Sequence, residues 1–153
     1  MTVSVIIGLG YVFFMFMAFS SNPRNKYYNQ LFKPSIYLLH LALTITTALY
    51  GLHRVRNHDV AETAYFIPVL FLIIFRLFDW IVMKSQGRHI LIVTKGDHRP
   101  ADYKWWIDGV LSFLSFIVPF LISVFIMTQL QQNYKRIVSD GKEDIKIDPI
   151  MPQ

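Results

Sequence analysis

Four stretches of the chain are apolar over a length close to the about 20 residues that a helix needs to cross a hydrocarbon core roughly 30 Å thick. They lie near Val3 to Phe19, Ile36 to Leu52, Ala64 to Met83 and Trp106 to Leu130. A backbone surrounded by lipid must satisfy its own hydrogen bonds, so runs of this kind fold as helices. The expected fold class is therefore all-α, an integral membrane four-helix bundle with transmembrane helices near 3-19, 36-52, 64-83 and 106-130 and short loops. Residues 1–130 form one four-span domain in this reading, and residues 131–153 a polar tail that extends the last helix by a turn or two and then loses order. Composition agrees, because only 16% of the residues are charged where a soluble domain carries about 25%. The mean hydropathy is +0.39.

The first run has the length of a secretory signal, but it lacks a basic n-region, and Phe16-Met17-Ala18-Phe19 is a poor cleavage site. It is read as a retained helix, with a signal-anchor as the alternative. Asn22-Pro23, Lys33-Pro34, His58-Asp59, Gly96 and Arg99-Pro100 separate the runs as turn signals. Tyr27, Tyr28, Trp80, Trp105, Trp106 and Tyr134 flank them, as rings that favour the headgroup zone do. Pro68 and Pro119 fall inside spans, where each removes a backbone donor.

Orientation follows from lysine and arginine. The first and third connections hold Arg24, Lys26, Lys33, Lys84, Arg88, Lys95, Arg99 and Lys104, eight in all, against six at Arg54, Arg56, Lys135, Arg136, Lys142 and Lys146. Basic residues stay inside. Loops 20–35 and 84–105 are thus expected in the cytoplasm and both termini outside, in a cell inner membrane.

Ionisable residues within the spans need an account, since they are costly in lipid. At 100° per residue, Asp79 falls on the Arg76 side of the third helix with Val69, Leu72 and Met83, while Ile67, Phe71, Ile74, Phe78 and Ile81 fall opposite. An i,i+3 pair of opposite charge lowers the burial cost of both members. On the fourth helix Asp108, Ser112, Ser115 and Pro119 share a stripe; on the second, His40, Thr44, Thr47 and Gly51 do. Small and hydroxyl residues on one face let helices pack closely in a bilayer, so Thr44, Thr47, Gly51, Ser112 and Ser115 are read as a packing stripe.

Depth brings the ionisable groups together. At 1.5 Å per residue, Asp108 lies roughly 6 Å inward of Lys104, Asp79 roughly 7 Å inward of Lys84, His40 roughly 10 Å inward of Lys33 and Arg76 roughly 12 Å inward of Lys84. Convergent stripes would gather His40, Arg76, Asp79 and Asp108 into one intramembrane polar cluster in the cytoplasmic half.

Other chemistry finds little support. The chain has no cysteine, which excludes disulfides, a thiolate nucleophile and Cys-ligated metals. His40 and His53 share a helix as in bis-histidine cytochromes, but His58, His89 and His98 fall in loops, so no haem and no metal site is expected. No catalytic residues and no cofactor are assigned, and the basic residues are too dispersed for a nucleic-acid site. In the loop 84–105, Arg88, Ile90, Ile92, Lys95 and Arg99 mark a surface for a partner or for the membrane, with Ile90 to Thr94 as a short β segment offering an edge. In the tail, Arg136 to Val138 and Ile145 to Ile147 are candidate arms of a small hairpin.

The functional expectation is a small non-catalytic subunit or partner-binding element of a membrane complex, in contact with the lipid bilayer and with other membrane subunits or further copies of itself. A proton- or ion-linked channel or transporter subunit using the polar cluster is the alternative, and an intramembrane enzyme acting on a lipid-like substrate the third.

Overall fold

The computed structural model describes residues 3–20, 30–57, 60–93 and 99–143. It is all-helical: α1 (Val3–Ala18), α2 (Pro34–Asn57), α3 (Ile67–Gln86) and α4 (Val110–Glu143). Short 3-10 stretches at Gln30–Phe32 and Val60–Phe66 precede α2 and α3, and a π turn at Trp105–Gly109 leads into α4. Three segments are long and apolar enough to cross a membrane, Pro34–Val55, Glu62–Gln86 and Trp105–Asn133. At 16 residues α1 measures about 24 Å, short of the roughly 30 Å core. Length therefore carries three of the four expected crossings.

α3 is the most enclosed of the long helices, with 44% of its apolar window buried against 11% in α2 and 22% in α4. Phe71, Leu72, Phe75 and Val82 of α3 are buried with Val12 and Met15 of α1. Phe71 stacks on Phe75 at 5.7 Å between centroids and meets Phe16 at 5.8 Å. Among lipid tails such contacts gain little from excluding water, so close packing has to hold the helices together. This sets the rotation of α3. The sequence places Phe71 on the lipid side and Arg76 on the inner one; in the structure Phe71 is inside and the Arg76 side chain is 47% exposed. The buried arc is turned by about 90° from the expected one, because broad rings gain more contact inside than a guanidinium that can reach the helix flank.

At the end opposite the α3–α4 connection, the 3-10 segment Val60–Phe66 lies among α1, α2 and α4. A Cβ on Gly8 would meet the Ala64 carbonyl oxygen at 2.6 Å, and one on Gly51 would meet the Tyr65 Cβ at 2.5 Å. Ser123 Oγ of α4 donates to the Thr63 carbonyl at 3.0 Å. Pro68, expected within a helix, falls in the first turn of α3, where its missing N–H breaks no bond. Pro119 does lie inside α4.

α4 continues through the polar tail to Glu143, further than the turn or two expected. Arg136 to Val138 are helical, which removes one arm of the expected hairpin; Ile145 to Ile147 lie outside the described residues. Extending a formed helix adds a bond for each residue ordered, whereas a lone hairpin is marginal.

Candidate functional site

The polar end of the molecule is assembled by a chain reversal after α3. Gly87 adopts φ +68°, ψ 15° and its N–H returns to the Met83 carbonyl, a left-handed helix cap that suits glycine. The chain then runs back over the end of the bundle without a helix or a strand over residues 89–93. The expected β segment forms no strand among the described residues; its amides bond to carboxylates instead. Ile90, Leu91 and Ile92 are buried rather than offered at the surface. Thr94 and Lys95 lie outside the described residues.

Asp79, 2% exposed, projects from α3 under this returning segment. Its Oδ1 accepts the Ile90 N–H at 3.0 Å, and both carboxylate oxygens lie 3.0 Å from His89 Nδ1. Only a protonated Nδ1 suits that position, so the imidazole donates. Arg76 Nη1 donates to Oδ2 at 3.3 Å, and its guanidinium carbon lies 5.5 Å from the centre of the Tyr37 ring. Phe32 covers the group from the 3-10 turn before α2, stacked on His89 at 4.1 Å and 14° and on Phe75 at 6.0 Å.

Asp108, fully buried, sits in the π turn that opens α4. Oδ1 accepts Arg88 Nη1 at 2.9 Å and the Leu91 N–H at 3.0 Å; Oδ2 accepts Arg88 Nη2 at 2.7 Å and the Lys104 N–H at 2.8 Å. These four donors match the acceptor capacity of a carboxylate. The bond to Lys104, the residue capping the turn, resembles the reciprocal bond of a capping box. The same guanidinium donates to the carbonyls of His89 at 3.0 Å and Asp102 at 2.7 Å. Hydrogen bonding to Asp108, with that carboxylate's charge, pushes the Arg88 guanidinium above its usual range despite partial burial. It stays charged at any working pH. Lys104 Nζ also donates to Gln86 Oε1, tying the end of α3 to the approach to α4.

The structure thus brings Arg76 to Asp79, joins both acids through consecutive residues of one segment, and adds Arg88 and His89. His40 is elsewhere: its Nδ1 lies 3.0 Å from the Tyr11 hydroxyl, and its ring meets Phe19 edge-on at 5.6 Å. Within the packing stripe, Thr44, Gly51, Ser112 and Ser115 are buried and Thr47 half-buried. The hydroxyls of Thr44, Thr47 and Ser115 bond back to carbonyls of their own helices, so these residues contribute small size to the contact rather than bonds across it. Arg99 is exposed at the rim, 5.8 Å from the centre of the Tyr103 ring. Among the described residues no group of three or more His, Asp or Glu side chains is placed to hold a metal.

Arg88 as the partner of Asp108, and His89 as the partner of Asp79, are absent from the sequence reading. The signal lies in Gly87, which directly follows the long helix. A reversal there returns the next residues to the acids, and two buried carboxylates need nearby donors. No family model, no curated protein and no solved structure matches the chain.

Proposed function

We propose that the chain is a non-catalytic subunit or partner-binding element of an inner-membrane complex, that all four helices cross the bilayer, and that the Arg88–Asp108 end faces the cytoplasm. One observation carries this reading: the two intramembrane acids are engaged in holding the loop. All four acceptor positions of Asp108 are filled, and Asp79 is bonded to a backbone amide, an imidazole and Arg76. A proton relay or general acid needs a carboxylate free to exchange its partner, so this arrangement favours scaffolding. The surface for a partner is the outer face of α2, where Leu38, Leu39, Leu43, Leu49 and Leu52 are all more than half exposed.

Mild-detergent extraction followed by mass spectrometry tests the proposal. The expected result is a heterologous membrane protein at fixed stoichiometry, lost when Leu43 and Leu49 are both changed to Ala while the chain still inserts. Recovery of the homo-oligomer alone, with proton flux in liposomes that Arg76→Gln abolishes without changing assembly, would overturn it in favour of transport.

A further inference from the structure

His40 lines a cleft of about 450 Å³ between the C-terminal half of α1 and the N-terminal half of α2, a size within the roughly 300–1,000 Å³ of small-molecule sites. Its walls are Phe14, Phe19, Ile36 and Leu39, with Gln30 and His40 as the polar groups. Phe14 is 56% and Leu39 67% exposed, so the cleft opens sideways on the apolar flank of the bundle. A ligand would enter it from the bilayer.

The imidazole has a defined direction. The Tyr11 hydroxyl makes one hydrogen bond among the described residues, to His40 Nδ1 at 3.0 Å. In apolar surroundings an O–H without an acceptor is costly, so the phenol donates and Nδ1 accepts. Nε2 then carries the proton. It has no partner among the described residues, and neither has the Gln30 side-chain amide. His40 lies six residues into α2, about 9 Å from its start, where hydrocarbon begins and water no longer serves a stranded N–H. The cleft therefore presents N–H donors to an acceptor oxygen held just below the headgroups. The phenyl rings of Phe14 and Phe19 suit a flat partner better than a flexible acyl ester.

We infer that the α1–α2 cleft binds a planar, carbonyl-bearing ring on an apolar tail, the chemistry of a membrane quinone, with His40 Nε2–H donating to a ring carbonyl. This site is independent of the Asp79–Asp108 end.

Photolabelling in nanodiscs with an azidoquinone, competed by decylubiquinone and mapped by peptide mass spectrometry, tests it. Labelling is expected within residues 11–40 and should be displaced by decylubiquinone but not by dioleoylglycerol. His40→Ala should weaken displacement about ten-fold, the loss of one hydrogen bond to a buried group. Leu39→Trp, which narrows the cleft from its lipid side, should weaken it as well. If His40→Ala misfolds, His40→Gln, which keeps a donor, should retain binding while Leu39→Trp loses it. Equal displacement by dioleoylglycerol, or labelling indifferent to both Leu39→Trp and the His40 variants in folded protein, would overturn the inference.

Discussion

Asp79 and Asp108 differ in what their loss would leave behind. Removing the charge of Asp108 frees an Arg88 side chain that is 20% exposed and can turn to water. Removing Arg88 strands a carboxylate with no exposure, which is the worse defect, at about 3–5 kcal/mol for breaking a buried pair from one side. Arg88→Met is therefore expected to unfold at markedly lower denaturant than Asp108→Asn. Arg88→Lys should recover little, since one ammonium cannot serve both oxygens and two carbonyls at once. Asp79→Asn keeps a carbonyl oxygen for the Ile90 N–H and should be the mildest of the set. Equilibrium unfolding in mixed micelles gives the order, and equal midpoints for Arg88→Met and the unmodified chain would contradict it. At this scale the sequence showed which acids were out of place, because a lone Asp in an apolar run is conspicuous. Their partners were hidden, since the sequence reads Arg88 as part of a partner or membrane surface and His89 only as a loop residue, and neither position shows that the loop turns back onto the acids.

Among the elements, the 3-10 segment Val60–Phe66 controls how closely α1 and α2 approach. Gly51→Ala puts a methyl group 2.5 Å from the Tyr65 Cβ, and neither backbone can yield freely; a loss of about 1–3 kcal/mol is expected from overpacking. Gly10 lies on α1 with nothing within 4 Å of an added Cβ, so Gly10→Ala should be neutral or stabilising by about 0.5–1 kcal/mol through helix propensity. Thermal midpoints of the two variants should move in opposite directions, and a shared direction would mean that the contact with Tyr65 does not limit the packing. The helices themselves were legible as apolar runs, and the stripe Asp108, Ser112, Ser115, Pro119 and Ser123 is buried as one face of α4. The rotation of α3 was not legible, because polarity alone assigns Arg76 inward and gives no weight to ring contacts. Nor was the tighter 3-10 winding at 60–66.

For the whole molecule, orientation is the open variable that a cysteine-free chain makes simple to measure. With the Arg88–Asp108 end inside, Arg99→Cys should react with a membrane-impermeant maleimide only after permeabilisation, whereas Gln132→Cys should react in intact cells. The reverse pattern would invert the topology, and labelling of both from one side would remove the α4 crossing. Hydropathy made the membrane class plain, since apolar runs of this length have few other uses. His40 fell outside the predicted cluster because depth along an axis says nothing about which neighbour a helix turns toward.

The Ile90 amide goes to Asp79 of α3 while the adjoining Leu91 amide goes to Asp108 at the head of α4. Two adjoining peptide groups thus act as a tie bar of fixed length between neighbouring columns. Spreading those columns at this end has to break the hold on at least one of the two acids.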